Sequence, residues 1–202
     1  MASPSPSPLR AAPLQPSDWI HAGNSRLAQD GIEAVRVEVL ARDLNVSKGS
    51  FYWHFRDRDE LLMRMLGAWE ESETTWLASE ESTAGDQPNP AARWARFVER
   101  SADPNRIREE IGVRAWARRD ERVGARVSEI ERRKATVVAS VLEEIGFTRE
   151  AAVSWAEMVA LVYLGWLDRT ARDADFRASG RGLGEFLSDL VLAAAKTSAA
   201  NR

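Results

Sequence analysis

Beyond residue 16 the chain has only three prolines, Pro88, Pro90 and Pro104, and no alternation of apolar and polar residues longer than four. Half-buried strands need that alternation, and helix interiors exclude proline because it lacks a backbone donor and clashes one turn back. Apolar residues recur instead at helical spacing, as in Val37, Leu40, Ala41 and Leu44. The prolines fall where helices would begin: Asn89-Pro90 and Asp103-Pro104 each join a capping side chain to a residue preset for the first turn. The expectation is an all-α chain of about nine helices with short connections, at roughly 18–29, 37–44, 48–54, 58–82, 90–101, 104–119, 121–145, 149–171 and 182–196. Ser17 and Asp18 open the first, Gly31 stops it, and Gly146 stops the seventh.

Residues 1–16 hold five of the eight prolines and three Ser-Pro repeats, a composition that cannot build a core and predicts a disordered arm. The rest is ordinary for a soluble protein, 44% apolar and 29% charged. With no cysteine, disulfides, thiolate metal sites and thiol nucleophiles are excluded, and two histidines cannot make a His-rich metal site. No cofactor is called for. The longest apolar run, Met158–Leu167, is ten residues, half the roughly 20 a membrane span needs. No secretory signal is visible, so a cytoplasmic chain without a membrane partner is expected. A net charge of −3 argues against a partner bound by charge alone.

Residues 31–62 read GIEAVRVEVLARDLNVSKGSFYWHFRDRDELL. Two short helices are joined by Asn45-Val46-Ser47, where Asn tolerates a left-handed backbone and Ser47 can cap the second helix. Ala41 is small enough for close approach, and Leu40, Leu44, Val46, Phe51 and Phe55 supply the seam. This is helix-turn-helix spacing, whose second helix enters a major groove. That helix keeps Lys48, Ser50, Tyr52, Trp53 and His54 for its outer face and ends, a set of hydroxyls, a cation and rings suited to phosphates and base edges. Arg56 and Arg58 follow within reach of a DNA backbone, and residues 42–58 carry a local +2, from Arg42, Lys48, Arg56 and Arg58 against Asp43 and Asp57.

The segment resembles the TetR family of one-component transcriptional regulators. The likeness rests on Gly31, Ala34, Val35, Val37, Leu40, Ala41 and Leu44, on the unbroken run Val46–Phe55, and on Asp59-Glu60-Leu61-Leu62. It implies a three-helix DNA-binding head and a larger helical body that dimerises and holds a small-molecule effector. The implied DNA-binding set is Arg36, Ser47, Lys48, Gly49, Ser50, Tyr52, Trp53, His54 and Arg58. Arg36 departs from the family's usual Thr or Ser, Asn45 from its Gly, and Arg58 from its Lys. The expected division is an arm at 1–16, the head at 17–62, an effector and dimerisation domain at 63–197, and a tail at 198–202.

In the body, residues 151–167 are apolar nearly all round, which demands burial on every side. A homodimer interface is expected from Trp155, Val159, Val162, Trp166, Phe186, Leu187, Leu190 and Val191. Eight tryptophans suggest an effector pocket walled by Trp69, Trp76, Trp94, Phe97, Trp116, Trp155, Met158 and Tyr163. Residues 106–134, with ten basic and six acidic side chains, read as solvated helix faces paired along the helix, or as hiding an Arg114 or Arg118 that meets an anionic effector. Catalytic fingerprints are lacking: Gly180–Gly184 follows a helix rather than a strand, and neither G-x-S-x-G nor H-E-x-x-H occurs. The expected function is a regulator released from a pseudo-palindromic operator by its effector, most simply a repressor. A constitutive DNA-binding regulator and a helical adaptor without DNA binding are the alternatives.

Overall fold

The structure, a computed structural model, describes residues 14–82, 89–173, 175, 176, 182–184, 186–189 and 191. Every element among them is helical: α1 (Pro16–Asp30), a short 3-10 turn (Ile32–Ala34), α2 (Val37–Asp43), α3 (Lys48–Tyr52), α4 (Arg58–Ser82), α5 (Pro90–Ala102), α6 (Pro104–Ala117), α7 (Glu121–Ile145) and α8 (Arg149–Arg172). The described residues from Leu183 to Val191 are helical too. The proline-rich arm lies outside the described residues as far as position 13. Its last residues join the fold: Pro16 opens α1, and the Gln15 backbone N–H donates to Asp18 at 2.7 Å, so the helix starts two residues before the Ser17-Asp18 pair suggests.

The caps follow side-chain chemistry. Asn89 accepts from the Ala91 N–H at 3.0 Å, Asp103 from Asn105 and Arg106 at 2.9 Å, and Asp120 from Arg122 at 3.0 Å, each satisfying first-turn donors that lack helical partners. Gly146 ends α7 in the left-handed conformation, at φ 118°.

One apolar core runs from head to body. Trp19 of α1, fully buried, meets Phe51 edge-on at 5.3 Å, and Phe51 stacks on Phe55 at 5.2 Å. The same cluster continues through Leu61, Met65, Leu66 and Trp69 of α4 into Val113 and Trp116 of α6 and Val123, Val127 and Ile130 of α7. α1 presses closely on its neighbours at two glycines. A methyl group on Gly23 would sit 2.5 Å from the Met65 sulfur, and one on Gly112 would sit 2.8 Å from the Leu27 carbonyl oxygen. A second cluster joins α5, α7, α8 and the last helical residues through Trp94, Phe97, Leu142, Val159, Leu187 and Val191.

The basic stretch 106–134 finds most of its partners across helices rather than along them. Arg122 holds Asp59 at 3.0 Å, Arg126 holds Glu70 at 2.7 Å, Arg133 holds Glu81 at 3.2 Å, and Arg119 reaches Glu33 of the head at 3.1 Å. These cations therefore offset the acidic side of the head and α4.

Candidate functional site

α2 and α3 meet through a turn in which Asn45, at φ 54°, is the one non-glycine residue with positive φ among the described residues. The Val46 N–H donates to the Ala41 carbonyl at 2.9 Å, fixing the angle between the helices. Arg26 secures this unit to α1 with a fork on Asp43 at 2.6 and 2.8 Å and a further bond to Asp30 at 2.8 Å. Sequence reasoning missed that clamp and the Trp19 anchor, because both join positions more than ten residues apart.

With Phe51 turned inward, α3 turns its neighbours out. Tyr52 is 62% exposed and Trp53, at the helix end, 88%. His54 is half-buried against the Phe55 ring, 6.5 Å away. Lys48 and Gly49 are exposed and Ser50 is half-buried. Lys48 donates to Glu38 at 2.9 Å and so holds that carboxyl below its usual range. Ser47 takes the capping position but its hydroxyl makes no cap bond. The Arg36 and Arg42 side chains are exposed and make no hydrogen bond or ion pair among the described residues. Arg58, expected to meet a phosphate, is bonded within the head. Its Nε donates to the Val35 carbonyl at 2.5 Å and its Nη2 to the Ile32 carbonyl at 2.8 Å, satisfying the turn before α2.

Two of the cavities in the body adjoin each other. The inner, about 100 Å³, is walled by Phe97, Val138, Ala156, Val159, Leu187 and neighbours, with Ser101, Lys134 and Tyr163 as polar groups. The outer, about 420 Å³, lies between α6, α7 and α8 along Ile111, Arg118, Val127, Ser128, Leu167 and Asp168. Arg114, Glu131 and Leu164 border both. Of the expected pocket residues only Phe97 and Tyr163 line either cavity. Trp69, Trp94 and Trp116 are buried in the apolar clusters, Trp76 packs between them under the Arg100 guanidinium (4.6 Å), and Trp155 lies edge-on to Phe147 at 6.0 Å. Met158 points outward. Rings at helical spacing went to core, since filling space around α4 and α7 needs them there.

Beside the inner cavity lies a buried ionic network. Glu110 of α6 accepts from Arg114 at 2.7 Å and from the Tyr163 hydroxyl at 3.0 Å, with Lys134 at 3.5 Å. Lys134 also holds Glu73 of α4 at 2.8 Å, and Arg100 and Arg106 converge on the same carboxylate. Burial alone would raise the Glu110 carboxyl, but Lys134 and Arg114 bring it below the usual range. Burial, then the Glu110 charge, pushes the Tyr163 hydroxyl far up, so it remains a donor. The Arg114–Glu131 pair completes the set at the wall between the cavities.

Among the described residues, the exposed large apolar side chains are Tyr52 and Trp53 on the head, Val153, Met158 and Leu161 on α8, and Phe186 on the last helical residues. Of the residues expected at a subunit interface, Phe186 is exposed. Val159, Leu187 and Val191 are buried inside their own chain, Trp155, Val162 and Trp166 are half-buried, and Leu190 lies outside the described residues. An all-round apolar helix does not reveal its rotation, and α8 turns Val159 inward and Leu161 outward. By length and composition α8 would also pass as a membrane span, although its inward face is packed against the body.

Residues 20–65 match the family model of the bacterial regulatory proteins, tetR family. Solved structures share the whole fold at low identity. A TetR transcription regulator from Haloarcula marismortui is 15% identical, with a TM-score of 0.68 over 91% of this chain and 97% of its own. A transcriptional regulator from Saccharomonospora viridis in complex with choline is 14% identical, TM-score 0.68, over 87% and 92%. The Bacillus subtilis regulator FadR in complex with stearoyl-CoA is 15% identical, TM-score 0.57, over 90% and 97%. No curated protein sequence matches the chain.

Proposed function

By its head the chain belongs to the tetR family of bacterial regulatory proteins, and we propose that it is a cytoplasmic repressor that leaves a two-fold-symmetric operator when a small molecule occupies its body. One observation carries the DNA-reading part. A five-residue helix braced by a buried Trp19–Phe51–Phe55 stack presents Tyr52 and Trp53 to solvent beside Lys48. A folded protein hides rings unless a partner covers them, and here they lie on the helix that a helix-turn-helix lays in the major groove. Arg36, Arg42 and Lys48 surround them as cations for the flanking phosphates.

The patch around Leu161 supports a homodimer, which would place two heads on one two-fold axis. The two cavities support a sensor body, and relatives of this fold hold choline and stearoyl-CoA. An electrophoretic mobility shift on DNA flanking the protein's own gene tests the reading. Wild-type protein retards a discrete fragment, while Tyr52→Ala and Lys48→Ala each weaken retardation about 5-fold or more. Unchanged retardation in both variants removes α3 as the reader. Operator affinity that no small molecule alters would leave a constitutive regulator.

A further inference from the structure

Arg118, at the mouth of the outer cavity, makes no ion pair among the described residues, although most cations near it in the chain have one. Deeper in, Arg114 spans the wall between the cavities, bonded to Glu110 on one side and Glu131 on the other. Glu110 is buried and bound by three groups, whereas the Glu131 side chain is 37% exposed. An incoming anion can replace Glu131 on Arg114 while Glu110 keeps its place. Behind that wall the inner cavity is mainly apolar and about 100 Å³, room for about four to six carbons by comparison with cavities that accept benzene. Joined by movement of Glu131 and Leu164, the two spaces reach the few-hundred-Å³ scale of small-molecule sites.

We propose that the effector is a small amphipathic carboxylate, its acid group held between Arg118 and Arg114 in place of Glu131, and its short apolar chain or ring seated among Phe97, Val138, Val159 and Leu187. This deepens the reading of the body as a sensor and rests on it. A cationic ligand would leave Arg118 facing like charge, and a neutral one would gain nothing from it. Glu110, Lys134 and Tyr163 stay bound to each other and form the polar floor beneath the acid.

The test uses the full chain without DNA, following thermal shift and calorimetry with hexanoate, hexan-1-ol and hexylammonium. Hexanoate raises the melting temperature in a saturable way, hexan-1-ol binds about tenfold more weakly, and hexylammonium does not bind. Arg118→Gln, a surface change, weakens hexanoate about tenfold, and Ala160→Phe, which fills the inner cavity, removes binding. Should Ala160→Phe not fold by circular dichroism, Ala135→Leu fills the same space from α7. Equal binding of acid and alcohol, hexanoate binding untouched by Arg118→Gln and the filling variant, or no binding up to about 10 mM overturns the proposal. Because no DNA is present, these outcomes speak of the ligand alone, whereas the Tyr52→Ala mobility shift speaks of the regulator reading.

Discussion

Arg58 shows how a residue's chemistry and its duty can part company. A basic side chain just after a recognition helix is a natural phosphate ligand, yet here its fork is spent on the Ile32 and Val35 carbonyls. The Ile32 carbonyl also accepts from the Val35 N–H at 3.2 Å, and charge-assisted bonds of the kind Arg58 adds contribute about 1.5–3 kcal/mol. Arg58→Gln should therefore lower the stability of the head by roughly that amount in a urea titration while leaving the salt dependence of operator binding almost unchanged. Arg36→Gln should do the opposite, holding stability and reducing the salt slope by about one per subunit. A lowered slope for Arg58→Gln would return it to the phosphate. Glu110 supports a prediction of a different kind. Its folded carboxyl lies below the value of 4.5 it has when exposed, so the stability it contributes is complete above that value and drains as pH falls through it toward the folded value. Glu110→Gln leaves Arg114 and Lys134 short of an anion, at a cost of about 3–5 kcal/mol near neutral pH. It should also flatten the fall of melting temperature below pH 4.5; an equally steep acid limb would assign that limb to other carboxylates.

At the scale of elements, the sequence reads best where one residue type has one physical use. Asn89-Pro90, Asp103-Pro104, Asp120 and Gly146 mark ends of α5, α6 and α7 because each satisfies or terminates a specific backbone group. Asn45 at positive φ marks the turn between α2 and α3 for the same reason. Side-chain partnership over long range was not legible: Trp19 needs Phe51, Arg126 needs Glu70, and nothing local in the chain declares either pair. Two of the expected pocket rings, Trp69 and Trp116, suit a core as well as a ligand box, and here both are in the core. α8 is the intermediate case, its burial legible but its rotation not. Leu161 is 69% exposed at the centre of the outward face, and covering it with a second copy would contribute about 2 kcal/mol per subunit. Leu161→Glu should then give a folded monomer by light scattering, with operator affinity lowered because two half-sites are no longer gripped together. A dimer of undiminished strength would move the interface to another face.

For the whole molecule the question is how a ligand among α6, α7 and α8 can reach a helix that reads DNA. α6 lies between the two. One of its sides lines the outer cavity with Ile111, Arg114 and Arg118, and another receives α1 at Gly112, where Leu27 seats directly on the backbone. α1 in turn holds α2 through Arg26–Asp43 and α3 through Trp19–Phe51. On the proposed function, a displacement of α6 would pass to the reading head through these packed contacts. The coupling needs only about 1–3 kcal/mol, a 5- to 150-fold change in affinity. Gly112→Ala tests the route from the protein side. Its methyl group would meet the Leu27 carbonyl oxygen at 2.8 Å, so α1 must shift by a few tenths of an ångström, at about 1–3 kcal/mol of stability. The shift should carry the head with it and lower operator affinity with no ligand present, while exposure of Tyr52 and Trp53 to a soluble fluorescence quencher stays as in wild type. A variant that loses stability but binds operator as tightly as wild type would make the α1–α6 contact packing only, and leave α4, the other element continuous from head to body, to carry the signal.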